Sequence, residues 1–456
     1  MTTSPFSQVG EGIKRIKLSS LLLPATLILF AAVSPTTAYA SYILLAVYAL
    51  SGYSSALKAL CLAWLIGTLN SGVSYGSEVG GIGRLVVFAA AAASVFGRAI
   101  SVSRFNLPRE TVLTIGLGVT LVMHSLLFSQ MPDVSVLKAI SWAVVTATIF
   151  QAFSQLSPIK MHEFTIWFFI FCVTIMVVSW PFVFSSLGFS RNGRGFQGVL
   201  NQPQAYGIFL GLLSAWGAAI NLQKGKISAA TLFVFGSSIT ALVLTQSRTG
   251  GIAFIVGVSA SITLLIFVGK FRELSAVFRR MVVLMSIVTL LAISTIDWWL
   301  RIALGYIFKG YDVDQLSELY ASSRGFLYER ALDNFYAYPF TGIGFGIDIV
   351  REMKVAREPF FGFPTSAPIE KGNAFVASLE EVGLVFSGLI LVWLLVLLRR
   401  AVSGGLVPLT MFFSVMALNI GEAIFFSPGG VGLLTLIFLG WSVHQRTSRT
   451  QGISHG

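Results

Sequence analysis

The chain has 456 residues, 55% of them hydrophobic and only 11% charged, and its formal net charge is +12. A soluble domain carries about 25% charged residues, so a chain this apolar would expose too much apolar surface in water, and hydrocarbon is the solvent that suits it. The positive balance does not mark a nucleic-acid binder, because the basic residues lie in short segments between apolar runs and no compact basic domain gathers them.

Taken in order, Lys14, Arg15 and Lys17 precede the first apolar run. No small-residue cleavage site follows and further apolar runs come at once, so this run is expected to be a first transmembrane helix that stays in place. A spanning helix needs about 20 mainly apolar residues, and the chain offers about fourteen candidates. They are centred near residues 25, 43, 62, 90, 120, 143, 175, 211, 237, 260, 290, 387, 414 and 437, the second to fourth being short or rich in Gly and Ala. The predicted fold is therefore all-α, a polytopic transmembrane bundle of about 12–14 spans with one large extracytoplasmic loop. Cys61 and Cys172 sit inside apolar runs and read as packing residues. His124, His162, His444 and His455 are scattered, so no metal site is expected, nor any cofactor.

Orientation follows from charge. With the N-terminus in the cytoplasm, inside loops collect about eighteen basic residues, from Lys14 through Arg98, Lys160, Lys270 and Arg400 to Arg449, and short outside loops about five, a bias that obeys the positive-inside rule. Those five are Arg84, Lys138, Arg191, Arg194 and Arg248. Both termini are expected in the cytoplasm. The chain then divides into helices over 1–299, an extracytoplasmic loop over 300–372, C-terminal helices over 373–445 and a tail over 446–456.

The loop holds Asp312, Asp314, Glu318, Glu329, Asp333, Asp348, Glu352, Glu358 and Glu370. Loops beyond about 15 residues are usually functional or disordered, and the aromatic content here favours function. Ser322 or Ser323 can N-cap a helix, Leu327, Ala331, Phe335 and Tyr338 repeat at helical spacing, and Pro339 ends it. Two readings stay open for this amphipathic helix: lying at the membrane interface over the bundle, or packing on a small core of the loop. The glycines of Thr341-Gly342-Ile343-Gly344-Phe345-Gly346 look like a phosphate loop, but no βαβ context surrounds them, and a turn after Pro339 is the better reading.

The chemical signal is a set of arginines on one side of the membrane. Arg191 and Arg194 lie in one outside segment, Arg248 in the tight link Ser247-Arg248-Thr249-Gly250, and Arg324 at the start of the loop helix. A planar, permanently charged guanidinium grips phosphate through paired bonds. The competing reading is a snorkelling anchor at a helix end; it weighs most on Arg191 and Arg194, and less on Arg248, whose charge opposes the usual bias. Carboxylates at the same side, Glu370 and Glu422, are general-base candidates. For Glu370 the alternative is a solvated loop, and for Glu380 or Glu381 an interhelical hydrogen bond. Glu422 ends an apolar helix where water is scarce.

In order, these segments resemble the O-antigen ligase and Wzy-type polymerase superfamily over roughly residues 190–400. The resemblance rests on Gly198-Val199-Leu200-Asn201-Gln202-Pro203, on Ser247-Arg248-Thr249-Gly250, on Arg324 with Pro339 to Gly344, and on Glu381-Val382-Gly383-Leu384. It implies a glycan donor on undecaprenyl diphosphate, an acceptor that is another glycan or lipid A core, and no metal or nucleotide. It also implies that Arg248 and Arg324 hold the donor diphosphate. Arg191, Arg194, Asn201 and Asn373 join them as substrate-binding candidates, Glu370 and Glu422 as catalytic ones. Ligases of the family place a His-Asn pair before the Glu-x-Gly helix; here Gly372-Asn373 keeps only the asparagine. The closing Asn419-Ile420-Gly421-Glu422 resembles exopolysaccharide polymerases instead. The expectation is a polymerase of the bacterial inner membrane acting on its periplasmic face, with a chain-length regulator as a further partner. A ligase is the alternative. A flippase for the same lipid-linked glycans, or a non-catalytic partner in export, are rivals of another class; a flippase would line the whole membrane with polar groups in two related halves, which this sequence lacks.

Overall fold

The computed structural model describes residues 19–101, 107–223, 228–270, 274–275, 325–348, 355–357, 362, 364–366 and 371–445. Helices dominate: α1 Ser19–Val33, α2 Pro35–Ala49, α3 Tyr53–Thr68, α4 Gly76–Ser101, α5 Arg109–Phe128, α6 Pro132–Ser154 and α7 Pro158–Ser179 come first. Two short 3₁₀ segments, Trp180–Phe184 and Ser186–Phe189, lead into α8 Pro203–Leu222, α9 Ala229–Thr245 and α10 Arg248–Phe267. Then follow α11 Phe326–Ala337, a two-stranded antiparallel hairpin (β1 Ala356–Arg357, β2 Pro364–Ser366), α12 Ala374–Gly404, α13 Leu406–Gly421 and α14 Val431–His444. Every expected span centre falls inside a helix except the one near 290, which lies outside the described residues.

Hydrocarbon explains the uniformity. A segment without water must satisfy its backbone internally, and a helix does this. Serines start several of these helices: the hydroxyls of Ser34, Ser157, Ser228 and Ser247 each accept an amide of the following turn. Among the described residues seven helices are long and apolar enough to cross a membrane, and α9, α13 and α14 are shorter apolar helices. The fourth expected span, one of those foreseen as short or rich in Gly and Ala, is the 26-residue α4, rich in both. Large apolar side chains such as Ile43, Val119, Ile255 and Leu391 face outward, while Trp142, Trp216, Trp393 and Trp441 fill the interior. Two of the buried indoles find hydroxyl partners, Trp393 on Thr114 and Trp441 on Thr165.

Close helix contacts set the geometry of one bundle end. A methyl at Gly211 of α8 would strike the backbone of Gly250 in α10, and one at Gly250 would strike the carbonyl of Gly207. The two helices thus touch backbone to backbone, as small residues allow in membranes. Helix α13 packs on α10 through small residues too, the Ser414 side chain lying at Gly257 and the Thr249 side chain at Gly421.

A second feature of that end is a break in α12. Gly383 adopts φ 68°, ψ −178°, a left-handed residue that only glycine takes readily. The ladder cannot continue there. Leu384 donates its amide to the carbonyl of Pro339 at 2.8 Å, and the carbonyls of Glu380 and Glu381 accept the amides of Ile343 and Gly344 at 3.0 and 2.9 Å. The turn after Pro339 is thus a plug that completes a helix. Its glycine amides are spent on protein, the amide of Gly346 going to the Glu381 carboxylate at 2.7 Å, so the phosphate-loop look-alike is a structural turn. Neighbouring helices hold the plug. His124 of α5 bonds the carbonyl of Thr341 (2.5 Å), Gln130 donates its amide to Ile343, and Lys138 of α6 reaches the carbonyl of Gly346 (2.6 Å). Ile343 and Ile347 form a small core with Val134.

Charge locks the same spot. Lys371, just before α12, lies 2.9 Å from Glu380 and 3.3 Å from Glu381, all three side chains being nearly inaccessible. Burial opposes the lysine's charge, but Glu381 and Glu380 outweigh it and hold its pKa above the ordinary lysine value. Asn334 of α11 donates to the other oxygen of Glu380 at 2.7 Å, the interhelical bond that was the alternative for this glutamate. Helix α11 therefore packs on α12, with Ala331 buried and Leu332 and Tyr336 exposed; Ser322 and Ser323 lie outside the described residues.

Removing one partner of a buried ion pair costs about 3–5 kcal/mol. Lys371→Met should accordingly lower the melting temperature of the purified protein, as read by intrinsic fluorescence in detergent. Gly383→Ala should do so too, since its new methyl would lie against the backbone of Phe340. Unchanged melting in both variants would refute the plug.

Candidate functional site

The glycine contacts place three helix ends together. Pro203 opens α8, so Gln204 stands in its first turn. Gln246, in the left-handed conformation at φ 56°, turns the chain from α9 into α10 within two residues, and Ser247 caps the new helix through the amide of Gly250. Arg248 is therefore the first residue of α10 and is exposed. Glu422 ends α13 and accepts a hydrogen bond from Gln204 and another, at 3.4 Å, from the hydroxyl of Thr249. Sequence reasoning named Arg248 and Glu422 separately; the structure brings Glu422 to the residue beside Arg248. Helix N-termini carry partial positive charge, and the first turns of two of them, α8 and α10, donate to one carboxylate.

Arg194 comes to the same place. The segment 185–202 is folded down by its own polar side chains. Gln197, fully buried, donates to Ser190 and Leu200 and accepts the amide of Arg191. Asn192 accepts the amides of Arg194 and Gly195. The amide of Phe196 reaches the carbonyl of Leu244 at 3.0 Å, and a methyl at Gly195 would lie against Thr245 and Pro203. The chain beside Arg194 is thus wedged between the end of α9 and the start of α8. Arg191 and Arg194 are both exposed at the tip.

Asn201 is half-buried: its amide donates to Thr68 of α3, and its side-chain oxygen is buried with no hydrogen-bond partner among the described residues. Asn373 is elsewhere. Its side-chain oxygen accepts the amides of Phe375 and Val376, so it caps α12 and belongs to the Lys371 cluster; no described hydrogen bond joins it to the Glu422 group. Arg324 and Glu370 lie outside the described residues. Sequence reasoning missed Gln204, Thr249, Asn334 and Lys371. Gln204 carried a signal in its place one residue after the helix-opening Pro203, and Lys371 in being the only cation of the run Glu370 to Glu381.

The arrangement offers an exposed guanidinium at a helix start, further arginines on a loop pinned beside it, and a carboxylate held by two donors. Such a group can bind an oxyanion and take up a proton next to it.

No curated protein matches the chain. The family model described as O-Antigen ligase matches residues 232–370. The matched segment contains Arg248, Arg324, Glu370 and the Pro339–Gly346 turn, whereas Arg191, Arg194, Asn201, Asn373 and Glu422 fall outside it. That match bears out the resemblance drawn from the motifs: residues 232–370 are similar to the O-antigen ligase family, consistent with the O-antigen ligase and Wzy-type superfamily.

Proposed function

We propose that this multi-pass membrane protein polymerises undecaprenyl-diphosphate-linked oligosaccharide repeats into surface polysaccharide at the extracytoplasmic end of its bundle. The observation that carries the reading is the Arg248–Thr249–Glu422–Gln204 group, where cationic and carboxylate chemistry meet at the ends of three helices. Arg248, with Arg324 and Arg194, holds the donor diphosphate. The acceptor hydroxyl attacks the anomeric carbon, a new carbon–oxygen bond forms, and the bond to the diphosphate breaks with its electron pair on the leaving oxygen. Charge grows on that diphosphate in the transition state, so a fixed guanidinium there lowers the barrier. Glu422 takes the acceptor proton, its carboxylate oriented by Gln204 and Thr249. Glu370 is the second candidate for that role, and Arg191 and Asn201 are candidates for holding the glycan; Asn373, which caps α12, has no part in this group.

The family description favours a second reading, transfer of finished polysaccharide to lipid A core. Against it stands Gly372, where ligases of the family carry histidine. A chain-length regulator fits the polymerase and not the ligase.

Glycans extracted from a deletion strain and run on a gel separate these readings. A polymerase leaves single repeats, restored to long chains by the wild type. Long chains that persist but fail to reach lipid A core establish the ligase. In the polymerase case Arg248→Ala should abolish long chains at normal protein level, because losing one such donor costs about 10²–10³ in rate; normal polymer from it would sink the arginine role. Glu422→Gln keeps an oxygen for Thr249 but removes the base, and should slow elongation about 10²–10⁴-fold with little change in melting. Full activity in that variant, measured on purified lipid-linked repeats, reassigns the base.

A further inference from the structure

Several charged side chains that the apolar helices bury or half-bury face a counter-charge or a ring among the described residues, Lys58 of α3 lying 5.2 Å from the centre of the Trp167 ring. Glu110 is bonded by Arg400, Glu380 and Glu381 by Lys371, and Lys138 reaches the carbonyl of Gly346 close to Glu381. Arg84, expected in a short outside loop, stands instead two turns into α4, half-buried and with no carboxylate partner among the described residues. Its Nε donates to the carbonyl of Gly80 at 2.6 Å, and its terminal nitrogens have no hydrogen-bond or ion-pair partner among the described residues. A half-buried charge on a helix of an apolar bundle, without an ion-pair partner, is costly and points to function.

The side chain does not run out to the lipid edge as a snorkelling arginine would. Its Cδ passes Gly67 of α3, and its guanidinium ends against Gly429 in the link between α13 and α14. The Tyr42 hydroxyl lies beside Gly67 and Gly80 on the same wall. Three segments thus enclose a guanidinium that presents free N–H groups, the geometry that takes an oxyanion through two bonds. On the same helix Ile82, Leu85 and Val86 are exposed, which gives an apolar chain a surface beside the charge. The link that meets Arg84 at Gly429 also carries Glu422. Those positions are seven residues apart, which span at most about 25 Å.

We propose that Arg84 forms a second anion site, distinct from Arg248, that takes the diphosphate headgroup of a polyprenyl lipid. Only the choice of lipid rests on the function proposed above.

The test counts bound copies of farnesyl diphosphate on the purified full-length protein by native mass spectrometry. The wild type should hold two, Arg84→Met one and Arg248→Ala one, and the double variant none. The copy lost in Arg84→Met should weaken by about tenfold or more, as expected for charge-assisted hydrogen bonds. Gly429→Ala serves as a second variant should Arg84→Met fail to fold, because its methyl comes within 3.1 Å of the guanidinium and should weaken the same copy. Two copies retained at unchanged affinity in the folded variants would overturn the site. Displacement by inorganic diphosphate as effective as by the lipid would overturn the lipid assignment. A copy lost in Arg84→Met without any glycan transfer by the wild type leaves this site standing and removes the transferase reading; transfer with unchanged copy number does the reverse.

Discussion

A helix in hydrocarbon cannot leave its carbonyls unpaired, yet the left-handed Gly383 interrupts α12 just where Glu380 and Glu381 need donors. The amides of Ile343 and Gly344 supply them, and Pro339 returns an acceptor to Leu384. The rest of this end of the bundle depends on that exchange. Because the turn must sit against the break, the helix before it is drawn onto α12, where Asn334 and Lys371 converge on Glu380. Electrostatics adds direction to what backbone pairing demands: two buried carboxylates next to one another require Lys371.

The candidate site is built on a different constraint, the absence of side chains. Gly207, Gly211 and Gly250 let α8 and α10 meet at their backbones, and Gly257 and Gly421 admit α13. These contacts bring Glu422 within hydrogen-bond reach of two helix starts. The arginines then need only short, stiff supports: a two-residue link for Arg248 and a loop pinned by Gln197 and Asn192 for Arg191 and Arg194. Rigid placement of charge is what makes such groups effective against a developing anion.

The helices were legible because hydrophobic run length is a one-dimensional quantity and the membrane fixes its scale. Arg248 and Glu422 stood out for the same reason, as polar residues at the ends of apolar runs. What could not be read was pairing across the chain. Nothing near Glu422 announces Gln204, whose number is lower by over two hundred, and nothing in Glu380-Glu381 announces that Asn334 and Lys371 neutralise it. The run 341–346 shows the limit well: its glycines signalled backbone conformation correctly, but only the fold reveals that the freed amides serve a helix break. Asn373 likewise read as a ligand-binding residue, and its oxygen proves to cap α12.

The broken α12 also bears on how the chain is made. The turn that completes it precedes it in the sequence, so during synthesis residues 339–346 emerge before Gly383 does. Helices α5 and α6, which hold the turn through His124, Gln130 and Lys138, emerge earlier still. The last apolar helices therefore pack against a template already made. A ribosome product cut short before α12 would carry the plug with nothing to close, while a chain whose turn failed to form would leave α12 with an open ladder. Formation of the turn and placement of the final helices are in this sense a single event.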